Sequence, residues 1–235
     1  MASAGITLGG ARYFGQLSPT ELRDLERNAL RASDEQMAKA AAQLQDAFQG
    51  HYYAWFGGWA LKLRGSRRKT RDLDLLVLAD NVGQVRAILA PCAWAILSYY
   101  EITGSIQERM FVDIGEGGQV VGVDIVLSGQ LNTPCLGDDG SIELIEPRFE
   151  TPQGDQVPVI DLTWQVEGKL GTWMSRKKLS DYEDLEFLCR TYGSSISEWS
   201  ENLPKAWRHE FYGVFKASVE DEAAREDIKR TLSLT

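Results

Sequence analysis

Residues 72 to 78 read Asp-Leu-Asp-Leu-Leu-Val-Leu, two carboxylates set two apart at the head of a run that is otherwise apolar. Such a run is the pattern of a buried strand. Side chains alternate along a strand, so Asp72 and Asp74 fall on one face. Leu76 and Leu78 are expected to continue that face into the core. Two carboxylates at the mouth of a buried strand repel each other and lose hydration, so the arrangement is unfavourable unless cations hold them. Mg²⁺ is the natural cation, because it seeks oxygen ligands and adds waters and substrate phosphates to a few carboxylates.

The segment just upstream fits the same chemistry. Gly57-Gly58 precedes a short helix-forming stretch, Trp59 to Leu63, which Gly65 ends. A glycine pair lets backbone N–H groups approach an anion closely, and a helix start favours phosphate. A nucleotide's phosphates would then lie between the glycine turn and metals on the carboxylates, and two metals can clamp an in-line displacement. A third carboxylate is expected on a neighbouring strand. Asp124 is the candidate, as the only charge in Val120-Val-Gly-Val-Asp-Ile-Val-Leu127. The alternative for Asp124 is a strand residue paired with an arginine. Asp113, close to a turn, is the weaker competitor.

Composition narrows the classes. Of 235 residues, 43% are hydrophobic and 25% charged, which is ordinary globular usage. The net charge of -9 argues against a duplex nucleic-acid binder, although a local basic run exists at Arg64, Arg67, Arg68, Lys69 and Arg71. That run reads equally as a solvated charge stretch or as a triphosphate contact. Three cysteines with no CxxC spacing, and only two histidines, make a disulfide framework or a zinc site improbable and fit a reducing compartment. The N-terminal MASAGITLGG lacks the pattern of a signal peptide, and no stretch approaches a membrane span, so a cytoplasmic location is expected.

Two capping boxes, Ser18 to Glu21 and Ser33 to Gln36, predict helices to about Ala32 and Gly50. Met37, Ala40, Ala41, Leu44 and Phe48 form a stripe suited to core packing. A helix is expected over 81 to 90, then strands at about 94 to 102, 106 to 114 and 119 to 127, with a hairpin turn at Gly115 to Gly118. Further short strands are expected at 142 to 145 and 157 to 160. Beyond Asp161 the chain reads as helical, over 163 to 174, 180 to 192, 196 to 201 and 204 to 231. The layout is helices, a mixed sheet and a helical tail, with a domain boundary placed at 160 (1–160 and 161–235). Asp181 and Asp184 lie one helical turn apart, and a helix capped by Ser180 explains them structurally.

With these residues in view, the chain resembles the nucleotidyltransferase superfamily: a glycine turn, a short helix, an acidic-x-acidic strand and a later single acid. Arg68-Lys-Thr70-Arg-Asp72-Leu-Asp74 is most similar to the abortive-infection, AbiEii-like toxin branch. A second match is Lys169-Leu-Gly-Thr-Trp-Met-Ser-Arg176-Lys-Lys-Leu-Ser-Asp181-Tyr-Glu-Asp184-Leu. The likeness covers about residues 50 to 190. It departs from the commoner pattern in having Gly-Gly rather than Gly-Ser, and Trp59 follows that turn. The resemblance implies an α+β fold, a mixed sheet flanked by helices with a C-terminal helical extension. It implies transfer of a nucleoside monophosphate from an NTP with release of pyrophosphate. Asp72, Asp74 and Asp124 would then be the catalytic metal ligands, and Gly57, Gly58, Arg68, Thr70 and Lys169 the nucleotide-binding set, with Mg²⁺ as cofactor. The acceptor stays open between a small molecule, a protein side chain and tRNA, the acidity favouring the first two. Two other functions compete: a repurposed member acting on a metabolite without NTP, and a toxin-like protein neutralised by a partner.

Overall fold

The computed structural model describes residues 10–98, 105–115 and 118–234. The chain divides into two compact units, one of residues 1–65 and 69–159, the other of residues 66–68 and 160–235.

The first unit is built on a mixed eight-stranded sheet. Its strands are β1 (Arg12–Tyr13), β2 (Tyr53–Phe56), β3 (Asp72–Val77), β4 (Ala95–Leu97), β5 (Gln107–Asp113), β6 (Val120–Leu127), β7 (Ile142–Ile145) and β8 (Val157–Ile160). They are ordered β1-β4-β5-β6-β3-β2-β8-β7. β3 runs parallel to β6 and antiparallel to β2, and β5–β6 is an antiparallel hairpin. Among the described residues, four α-helices belong to this unit: α1 (Pro19–Ala29), α2 (Asp34–Ala47), α3 (Gly57–Leu63) and α4 (Val82–Leu89).

Both expected capping boxes form. Ser18 and Ser33 accept from the backbone N–H of Glu21 and Gln36, whose side chains accept in return from the cap N–H groups. On α2, Met37, Ala40, Ala41 and Leu44 are fully buried. They pack with Trp59 and Leu63 of α3 and with Leu73, Leu75 and Val77 of β3, the side of the strand opposite its aspartates. Leu22 and Leu25 of α1 pack on a separate cluster that includes Phe111 and Val120. The expectation for Leu78 is overturned. Leu76 is buried, but β3 ends at Val77 and Leu78 is 45% exposed. Leu78 N–H still bonds Tyr52 C=O, although the residue lies past the end of the strand.

The second unit is helical: α5 (Leu162–Arg176), α6 (Leu179–Ser197), α7 (Lys205–Ser218) and α8 (Glu222–Thr231). Three expectations are corrected here. The predicted helix over 204 to 231 is two, because Val219 is extended and Asp221 caps α8 by accepting from the N–H groups of Ala223 and Ala224. Segments 180 to 192 and 196 to 201 merge in part, since α6 runs on to Ser197 through a non-helical Tyr192, φ -119°. Ser180 lies inside α6, and the N-cap is Lys178. The part of the predicted third strand beyond Ser98, Glu101 included, and the tip of the 115–118 hairpin lie outside the described residues.

Candidate active site

Sheet register assembles the acids. Phe56 of β2, Asp74 of β3, Asp124 of β6 and Arg109 of β5 are successive cross-strand neighbours and form one row. Two residues along the strands, on the same face, is a second row, Asp72, Gly122 and Phe111. Asp72, Asp74 and Asp124 therefore share one face of the sheet. Asp113, the competitor, sits at the far end of β5, where it pairs with Arg12 at 2.6 Å and accepts from Gly115 N–H.

The glycine turn closes on the row. Gly57 begins α3 in the left-handed region, φ +59°, and a Cβ there would stand 2.0 Å from Asp74 Oδ2. Only glycine tolerates both the torsion and the approach. Gly58 N–H donates to Asp74 Oδ2 at 3.2 Å. The anion that this turn meets within the chain is thus Asp74 itself. Thr70 is 3% exposed, and its hydroxyl donates to Asp72 C=O at 3.1 Å, which fixes the backbone entering β3.

Arg109 was not distinguished in the sequence, yet it stands beside two of the three acids. Its Nη1 lies 2.7 Å from Asp124 Oδ2 and 3.7 Å from Asp72 Oδ2. Gly122 makes this reach available, since a Cβ there would meet Arg109 Nη2 at 2.8 Å. The guanidinium also lies 5.9 Å from the Phe111 ring centroid, within cation–π range. A signal was present: a hairpin turning over 115 to 118 pairs 113 with 120, and so Arg109 with Asp124.

In the second unit, Arg68 and Lys169 converge on Asp184, which is almost fully buried. Arg68 donates through Nε at 2.5 Å and Nη2 at 3.0 Å, and Lys169 Nζ lies 2.7 Å away. Asp181, equally buried, takes two hydrogen bonds from Arg176. Burial alone would raise the Asp181 carboxyl, but the bonds and charge of Arg176, helped by Lys169 and Lys178, hold it below the ordinary carboxylate value. The expected Ser180 cap therefore gives way to buried ion pairs. The basic run also separates: Arg64 is buried against Glu143, and Arg68 is held by Asp184.

Carboxylate oxygens suit a hard divalent cation. Among the described residues, however, no group of three or more His, Cys, Asp or Glu side chains converges as a metal site. Asp72 and Asp74, two apart on one face, and Asp124 beside them have the donor chemistry to hold such an ion, with Arg109 standing 2.7 Å from Asp124 and 3.7 Å from Asp72. No helix among the described residues is long and apolar enough to cross a membrane.

No family model matches the chain, and no curated protein does. Similarity appears among solved structures. The solution structure of the antibiotic-resistance factor ANT(2'')-Ia aligns with a TM-score of 0.53 at 15% identity, over 79% of this chain and 98% of that one. An antigenic nucleotidyltransferase-like protein from Paracoccidioides brasiliensis aligns with a TM-score of 0.52 at 16% identity, over 83% and 94%. The mixed sheet with its flanking helices is accordingly a nucleotidyltransferase-like fold.

Proposed function

We propose that the chain is a Mg²⁺-dependent nucleotidyltransferase, moving a nucleoside monophosphate from an NTP to a hydroxyl-type acceptor. The observation that carries this reading is the acid pair Asp72 and Asp74, placed by register beside Asp124 and closed on by the Gly57-Gly58 turn. Repulsion within such a row would be relieved by a hard divalent cation held on these carboxylates. When bound, Mg²⁺ supplies positive charge where negative charge builds on the transferring phosphoryl group.

The residues divide the work. Asp72 and Asp74 hold the cation. Gly57 and Gly58 leave the backbone close to it with no side chain in the way. Thr70 fixes the strand entrance. Arg68 and Lys169 are assigned to phosphate contact, an assignment supported by the Arg-x-Thr-x-Asp-x-Asp and Lys-Leu motifs. In the reaction the acceptor oxygen forms a bond to the α-phosphorus and the α–β bridging bond breaks. Pyrophosphate leaves, and the acceptor proton passes to a base or solvent. These motifs support a likeness to the abortive-infection branch. The charge of -9 favours a small molecule or protein over tRNA as acceptor, and the three free cysteines suit the cytoplasm.

The test is transfer of label from α-labelled NTPs with Mg²⁺ to panels of small molecules, proteins and tRNA. Asp72→Ala and Asp74→Ala should each lower transfer by a hundredfold or more, on the order of 3 kcal/mol of barrier. Full activity in both variants would refute the reading. One observation favours a second reading, a metabolite-binding member of the fold that uses no NTP: Arg109 already neutralises Asp124 without a metal. Absence of transfer from every NTP, with Asp72→Ala still abolishing metabolite binding, would select it.

A further inference from the structure

We infer that this site takes one divalent cation, not two, and that Asp124 serves as the anchor of Arg109 rather than as a metal ligand. The inference rests on the nucleotidyl-transfer reading. Its grounds are the placement of Arg109. The β5–β6 register sets Arg109 opposite Asp124, and its guanidinium lies 2.7 Å from Asp124 and 3.7 Å from Asp72. Two features keep it there. Gly122 clears the path, since any Cβ would stand 2.8 Å from Nη2, and Phe111 lies under the guanidinium.

A second ion on Asp124 would need its oxygen at about 2.1 Å and would meet a guanidinium already within hydrogen-bond range of that oxygen. Like charges so close repel strongly, and arginine does not escape by losing its proton. Arg109 therefore provides the positive charge on the Asp124 side of the row, where a two-metal clamp would place its other ion.

The experiment uses the full chain and Mn²⁺ in place of Mg²⁺. Equilibrium dialysis with a non-hydrolysable NTP analogue measures Mn²⁺ bound per nucleotide bound, and electron paramagnetic resonance reports Mn–Mn coupling. The wild-type ratio should be one, without coupling, and Asp124→Asn should keep it at one. Arg109→Ala, a truncation of a half-exposed side chain, should raise the ratio to two with coupling, and Arg109→Lys should return it to one. A wild-type ratio of two, falling to one in Asp124→Asn, would overturn the inference while leaving nucleotidyl transfer standing. A ratio that stays at one in Arg109→Ala would overturn the role given to Arg109. No binding of nucleotide or Mn²⁺ would overturn both readings together.

Discussion

Gly57 and Gly122 bring the charged groups of the site within reach of each other. Gly57 has a left-handed torsion and no room for a Cβ beside Asp74. Gly57→Ala should destabilise the protein by about 1–2 kcal/mol for the torsion alone. It should also displace the Asp74 carboxylate, so nucleotide binding should weaken by more than the stability change explains. Chemical denaturation and calorimetry on the same variant separate the two effects. Gly122→Ala is a different case. The added Cβ meets the far end of a flexible arginine, not backbone, so the fold should keep its stability to within about 0.5 kcal/mol. An unchanged denaturation midpoint alongside altered Mn²⁺ binding is the expected pattern, and a large drop in midpoint would mean that Gly122 serves the fold instead.

Among the elements, the helices that begin at capping boxes were plain in the sequence, because each start is a local pattern of side chain and backbone. Ser33→Ala should remove the cap of α2 and cost about 1 kcal/mol, measurable as a shift in urea midpoint. The strands around the acids were legible from their apolar runs, and alternation put Asp72 and Asp74 on one face, whereas Asp124 joins that face through the β3–β6 register. What escaped the sequence depended on pairing between strands. Arg109 looked like any strand arginine until the hairpin register set it opposite Asp124. Asp184 looked like a residue of the first helical turn, whereas it is the buried partner of Arg68, a residue 116 positions away. The break at Val219 escaped because the residues on both sides favour helix, and only the Asp221 cap decides the restart.

For the whole molecule, the consequences of burial can be tested in bulk. Asp181 is held below its ordinary value in the folded chain, so its ion pair contributes stability above the unfolded carboxylate value of about 3.9 and loses it as pH falls through the lower folded value. Asp181→Asn should therefore be less stable than wild type at neutral pH, with the gap closing in acid. Urea denaturation from pH 3 to 7 would reveal this, and a gap independent of pH would contradict it. Cys189 is buried, with its thiol pushed up to about 12 by burial first and Glu186 second, while Cys135 is exposed. In the native chain at neutral pH, thiol reagents should modify Cys135 and leave Cys189 unreacted until unfolding.

If Asp72 and Asp74 hold a cation-bound triphosphate, calorimetric titration of the four NTPs with and without Mg²⁺ will show it without knowledge of the acceptor. Wild type should bind at least one NTP only when Mg²⁺ is present, and Asp72→Asn and Asp74→Asn should each weaken that binding tenfold or more while staying folded. Equal binding in the double variant, or binding indifferent to Mg²⁺, would contradict the account.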